Sequence, residues 1–170
     1  MAAFTTSHAR LRLYKELELL GEQVLYHDTD SIVYVSRPGN YEVPTGNMLG
    51  EWEDELHGEH MVNVWTSGGP KSYAYQLSDG STTCKVKGFN LKRSDTAKLI
   101  HYNSMKGLVQ DRYHQNVERK IRTTQTMIKR VKTHALLKTE EQSKELRVQY
   151  TKGNVVVHRN NMVETLPFGY

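Results

Sequence analysis

Cysteine occurs once in the 170-residue chain, at Cys84, so no internal disulfide can form and no zinc cluster can be built on thiolates. That fits a reducing, intracellular setting. Apolar runs are short: none approaches the roughly 20 residues that span a bilayer. The N-terminus lacks a basic segment followed by an apolar core, so neither membrane insertion nor secretion is expected. There is no internal repeat, no low-complexity tract and no linker rich in Pro, Gly and Ser. Histidine is not scarce, at 8 residues, but none pairs with Cys or another His at a zinc-like spacing, and His27 reads as a strand residue rather than a ligand.

What remains is a folded, charged chain. Hydrophobic residues make up 37% and charged residues 25%, which is polar for a globular protein but short of the disordered regime. The length suffices for one ordinary core, or for two small subdomains sharing one. The net charge of +4 hides a split: residues 1–60 hold 4 Lys and Arg against 11 Asp and Glu, whereas residues 61–170 hold 19 against 8. The second part is therefore the candidate polyanion-binding surface.

Leu13, Leu17 and Leu20 at helical spacing predict an amphipathic helix over residues 7–20, with Thr6 or Ser7 as its N-cap and Gly21 as its stop. Residues 24–26 and 32–35 are β-branched or aromatic and flank a polar centre at 27–31, which predicts a hairpin with acids at its tip. Residues 49–56, with Leu49, Trp52 and Leu56 among four acids, read as strand in preference to helix. Residues 61–65, 72–77 and 82–86 alternate as a β-meander, broken by Ser67-Gly68-Gly69-Pro70 and Ser78-Asp79-Gly80-Ser81. Trp52 and Trp65 read as core. Short helices are expected over 94–99 and 105–113. From 118 to 157 a helix through Thr139-Glu140-Glu141 competes with a long basic β-hairpin, and the hairpin is favoured because Ile121, Thr123, Gln125 and Met127 mark no helical stripe. A subdomain boundary is expected near 88–94.

The sharpest chemical feature is Tyr26-His27-Asp28-Thr29-Asp30-Ser31. In an extended chain, positions two apart share a side, so Asp28 and Asp30 would project together. Two carboxylates held this close repel unless a cation neutralises them. A hard divalent ion such as Mg²⁺ suits oxygen ligands, and two-metal phosphoryl or nucleotidyl transfer uses sites of this kind. Set against this, a bare Asp-x-Asp is more often an acidic turn, although the apolar strands on both sides weaken that explanation.

The run YHDTDSIVY, residues 26–34, resembles motif C of B-family DNA polymerases, Tyr-x-Asp-Thr-Asp-Ser on a palm hairpin. The resemblance implies that Asp30 is a direct ligand of the catalytic Mg²⁺ ions, two in the complete enzyme. It implies that Asp28 supports the site, with Tyr26, Thr29 and Ser31 completing the motif. Further segments resemble the protein-primed branch found in Maverick/Polinton elements, adenoviruses and some bacteriophages. AAFTTSHARLRLYKEL resembles the palm helix before motif C, and NMLGEWEDEL the strand after it. GGPKSYAY resembles the Lys-x-Tyr motif, which implies that Lys71 and Tyr73 hold the primer terminus. KVKGF, with Lys85 and Lys87, resembles the strand ending that leads into the thumb, and TLPFGY the closing segment. The residues themselves agree, since Lys71 and Tyr73, two apart on a strand, would share a face; a solvated edge-strand lysine is the plainer account of Lys71.

The implied fold is α+β: a partial polymerase palm over residues 1–90, built of a helix and antiparallel strands, then a small basic thumb over 91–170. Arg119, Lys120, Arg122, Lys129, Arg130 and Lys132 would lie along duplex phosphates, unless they are simply a solvated face. The implied partners are primer-template DNA and a deoxynucleoside triphosphate, with the nucleus as the site of action in a eukaryotic host. The sequence contains neither motif A, Asp-x-x-Ser-Leu-Tyr-Pro, nor motif B, Lys-x-x-x-Asn-x-x-Tyr-Gly, and it lacks the exonuclease acids and any fingers. It begins where motif B would end. The expectation is thus a fragment, truncated gene product or degenerate copy that is inactive alone. A non-catalytic DNA-binding remnant of a transposon or viral polymerase is the alternative.

Overall fold

A computed structural model describes residues 2–56, 58, 61–130, 137–150, 154–158 and 163–166. It is a mixed α+β chain of small antiparallel sheets and three helices among those residues. By its contacts it divides into two compact units, Met1–Glu59 and His60–Tyr170.

In the first unit, α1 (Ala2–Leu20) runs without a Gly or Pro and buries Leu13, Glu16 and Leu20 on one face, with Leu17 half-buried. It starts five residues before the position expected from capping. Thr6 and Ser7 do not cap it; their hydroxyls donate back to the Ala3 carbonyl at 3.0 and 2.8 Å, the bond such residues make inside a helix. Gly21, at φ +52°, ends it in the left-handed conformation that glycine takes without a Cβ clash. A short 3-10 turn, Gly21–Gln23, leads into β1 (Val24–Asp28), which pairs antiparallel with β2 (Ser31–Tyr34).

The chain then returns across this unit through loops fastened by side chains. Tyr41 Oη donates to the buried Glu16 carboxylate at 2.7 Å, Gln23 Nε2 donates to the Tyr41 carbonyl at 3.2 Å, and Tyr34 Oη donates to Glu42 at 2.9 Å. The bond to Glu16 raises the Tyr41 hydroxyl above its usual pKa, because it is made by the protonated form. The strand expected over 49–56 does not form. Those residues make turns, with a single bridge between Thr45 and Trp52. The acids are the reason: Glu51 accepts the Met48 N–H at 2.8 Å, and Asp54 accepts those of Leu56 and Gly58 at 2.9 and 2.7 Å. Local bonds to side chains thus replace a ladder.

In the second unit, β3 (Val62–Gly69), β4 (Ser72–Leu77) and β5 (Thr82–Val86) form the expected meander with β4 central. After it come α2 (Ser94–Leu99) and α3 (Tyr102–His114). Next β6 (Ile121–Arg130) pairs antiparallel with β7 (Leu137–Leu146), and β8 (Asn154–Val157) with β9 (Val163–Leu166). The favoured hairpin is therefore present, followed by a second, short one. The stripe that fails as a helix succeeds as a strand: along β6, Ile121, Thr123, Gln125 and Met127 alternate inward with exposed residues between them.

The core of this unit joins Ala74 and Val86 of the meander to Ile100, Tyr102, Met105, Leu108 and Leu146. The boundary expected near 88–94 rests on a change of composition. By its contacts the chain divides at 59/60, and one core includes residues on both sides of 88–94. A polar lock fixes the crossing. Gln125, 4% exposed, accepts the Asn90 N–H at 3.2 Å and donates to Thr96 Oγ1 at 3.4 Å, while Lys144 Nζ donates to the Gly88 carbonyl at 2.5 Å. Burial of the amide is tolerated because both its ends are bonded.

Candidate functional site

The acids lie at the tip of the β1–β2 hairpin. Register pairs His27 with Ile32 and Asp28 with Ser31, so Thr29 and Asp30 alone form the turn. Asp28 is thus the last residue of a strand, and Asp30 belongs to the turn. The two are not alternate positions of one extended strand. Thr29 sits at φ +50°, which is strained for a β-branched residue. The Asp30 N–H donates to the Asp28 carbonyl at 2.5 Å, Thr29 Oγ1 donates to Asp28 Oδ1 at 3.0 Å, and Ser31 Oγ donates to the Asp28 carbonyl at 3.1 Å. Thr29 and Ser31 therefore orient the first acid and its backbone, while Tyr26 lies on β1 opposite Val33. Among the described residues no group of three or more His, Cys, Asp or Glu side chains could hold a metal, so any ion here would rest on two carboxylates.

Lys71 is not a strand residue. It occupies the β3–β4 turn at φ +58°, so the shared strand face expected for Lys71 and Tyr73 is absent, and the two are related by a turn followed by a strand. The turn is anchored where the Lys87 N–H donates to the Lys71 carbonyl at 2.9 Å. The glycines before it have a packing role. Gln149 N–H donates to the Gly68 carbonyl at 2.9 Å, and at Gly69, φ +118°, a β-carbon would overlap the Gln149 carbonyl.

Tyr73 belongs to an aromatic ladder on the face of the meander away from Ala74. Its ring stacks on Trp65 at 4.7 Å and lies 6.4 Å from Tyr75, with Trp65 and Tyr75 at 5.9 Å. Lys85, its cross-strand partner, places Nζ 5.7 Å from the Tyr73 ring, within cation–π range. Trp65 is consequently a face residue and not part of the apolar core, and Trp52 is half-buried among the turns. The ladder was open to sequence reading through the Trp65-to-Tyr75 spacing across a glycine turn, but only register shows the rings in contact. On the opposite face, burial raises the Cys84 thiol to a pKa of about 11, so it is not a reactive thiolate.

The basic stretch is far less uniformly positive than its sequence. Arg119 pairs with Asp111 at 3.3 Å, Lys120 and Arg122 with Glu145 at 3.8 and 2.5 Å, and Lys129 with Glu140 at 2.9 Å. Glu145 and Glu140 are held below the usual carboxylate range by the hydrogen bonds from Arg122 and Lys129. Arg130 ends β6 exposed; Lys132 lies outside the described residues. Glu140 and Glu145 meet their partners across the hairpin register, whereas Asp111 reaches Arg119 from α3, eight positions earlier in the chain. Compared with protein families, with curated proteins and with solved structures, the chain matches none.

Proposed function

We propose that this chain is the palm end and thumb of a B-family, protein-primed DNA polymerase, and that its parent reaction is template-directed nucleotidyl transfer to a primer 3′-hydroxyl. One observation carries the reading: Tyr26 to Ser31 form a hairpin whose two-residue turn places Asp30 next to a strand-terminal Asp28, the setting in which motif C works. Asp30 would hold a divalent ion directly, with Asp28, oriented by Thr29, beside it. When bound, the ion supplies charge neutralisation at the attacking and leaving oxygens. The aromatic ladder around Tyr73 and the cations of the second unit suit a nucleic-acid partner.

Two carboxylates without the motif A acid make a weak site, and catalysis is expected to fail in this chain alone. The test is Mn²⁺ titration of the purified chain followed by NMR, with primer extension beside it. Selective broadening of the amides of residues 26–31, abolished by Asp30→Asn, supports the reading, as does no extension of a primed template. Broadening spread over other carboxylates would overturn it. A non-catalytic DNA-binding remnant is the second reading, favoured by the lack of a third ligand among the described residues, and it predicts DNA binding with no Mn²⁺ preference for the hairpin.

A further inference from the structure

The few cations of the first unit are concentrated on one element. Of the 4 Lys and Arg in residues 1–60, three lie on α1: Arg10, Arg12 and Lys15. Spacings of three and four put His8, Leu11, Arg12 and Lys15 on one side of the helix, where with Glu16 they line an open cleft. Leu11 is 65% exposed there, and Phe4, two turns earlier on the same side, is 74% exposed. Among the described residues no side chain forms a hydrogen bond or ion pair with Arg12 or Lys15, and Glu16 is engaged by Tyr41 instead.

The acids cluster elsewhere, but close by. Four of the 11 in residues 1–60 fall within 51–55, and the turn that carries them lies against the same helix: Arg12 Nη1 is 3.5 Å from where a β-carbon on Gly50 would sit. Glu51 and Asp54 are engaged inside the turn by the N–H groups of Met48, Leu56 and Gly58. Glu53 and Glu55 are exposed, and among the described residues nothing pairs with them. Met48 and Leu49 precede them, 74% and 107% exposed. A basic helix side and an acidic turn, each with apolar side chains in the open, thus lie next to each other without neutralising one another.

Such a patch is self-complementary. A second copy related by a twofold axis sets each half against its opposite, so that every contact is made twice and the assembly closes at two copies. Like charges one helical turn apart, as Arg12 and Lys15 are, repel each other, and carboxylates brought from outside relieve that. Leu11 and Leu49 lose apolar area to water only when something covers them. We propose that the first unit self-associates through this patch, with Arg12 and Lys15 of each copy facing Glu53 and Glu55 of the other and Leu11 and Leu49 between them. The occupant of the cleft is a second copy of this chain, not a free anion. The proposal is independent of the polymerase reading.

The test is sedimentation velocity of the full chain over a concentration series at about 0.05 M and about 0.5 M salt. The unaltered chain is expected to form a dimer whose dissociation constant rises about tenfold or more at the higher salt, because exposed charge pairs are screened. Arg12→Glu/Lys15→Glu and Glu53→Lys/Glu55→Lys should each weaken the dimer about tenfold or more. Mixed in equal amounts, the two variants should associate again to within about threefold of the unaltered chain, since each acidic half then meets a basic one. Recovery also shows that both variants are folded. A monomer at every concentration at low salt, association indifferent to both double variants, or no recovery in the mixture overturns the inference. Growth beyond two copies with rising concentration overturns the reciprocal contact, because head-to-tail binding does not close. Inorganic phosphate that shifts the amide NMR signals of residues 8–16 in a chain that stays monomeric assigns the cleft to a free anion and overturns the choice of occupant. The Mn²⁺ response of residues 26–31 is a separate measurement, so failure here leaves the polymerase reading standing.

Discussion

At the scale of single residues, backbone clearance and buried hydrogen bonds govern what can be changed. Gly69 is fixed twice, by φ +118° and by the Gln149 carbonyl where a β-carbon would go. Gly69→Ala is expected to destabilise the second unit by roughly 2 kcal/mol or more, read as a lower midpoint in urea at unchanged slope; an unchanged midpoint would mean that residues 147–150 do not pack there. Gln125→Leu leaves the Asn90 N–H and the buried Thr96 hydroxyl without their partner. A loss of about 1–3 kcal/mol is expected by the same measurement. Gly69 and Gln125 looked like a loop glycine and one more polar strand residue, because neither backbone approach nor burial is written in a residue's own type.

At the scale of elements, the β6–β7 ribbon is held by cross-strand ion pairs as well as its ladder. Glu140 and Glu145 have carboxyl pKa values depressed by Lys129 and Arg122. A depressed folded pKa means that their contribution is present above the unfolded pKa and is lost as pH falls through the folded value. Both groups are on the surface, so the contribution is small and screened by salt. The check is a carboxyl NMR titration: Glu145 should titrate below the ordinary glutamate range in the unaltered chain and return towards it in Arg122→Gln, with Glu140 unaffected. A Glu145 titration indifferent to Arg122 would contradict the pairing. The elements themselves were largely legible. Hairpin, meander, both short helices and the long ribbon follow from alternation and turn residues, whereas residues 49–56 misled because the acids that suggested an exposed strand instead bond the backbone of their own turn.

At the scale of the whole chain, the two compact units differ in what holds them. The second has a contiguous apolar core from Ala74 to Leu146. The first buries Leu13 and Leu20 of α1 and relies on Tyr41, Glu16 and Gln23 for much of its closure, while Phe4 and Leu11 stand exposed at 74% and 65%. Residues 60–170 made alone are therefore expected to melt cooperatively, and residues 1–59 alone are not, as measured by calorimetry. A cooperative transition from the shorter piece would show that α1 and its hairpin carry a sufficient core. No helix among the described residues is long and apolar enough to cross a membrane.

Sequence alone determined the local architecture and the identity of the chemical groups. The period of the apolar residues, the turn chemistry around Thr29 and Asp30, and the excess of Lys and Arg after residue 60 are properties of neighbouring positions. Tertiary structure decided which groups meet. Register put Lys71 in a turn instead of on a strand, gathered Trp65, Tyr73 and Tyr75 into one ladder, and brought Glu140 and Glu145 against cations that the sequence presents as a bare basic run. Pairings between residues on different elements depend on how strands align and cores close, and no local pattern encodes them.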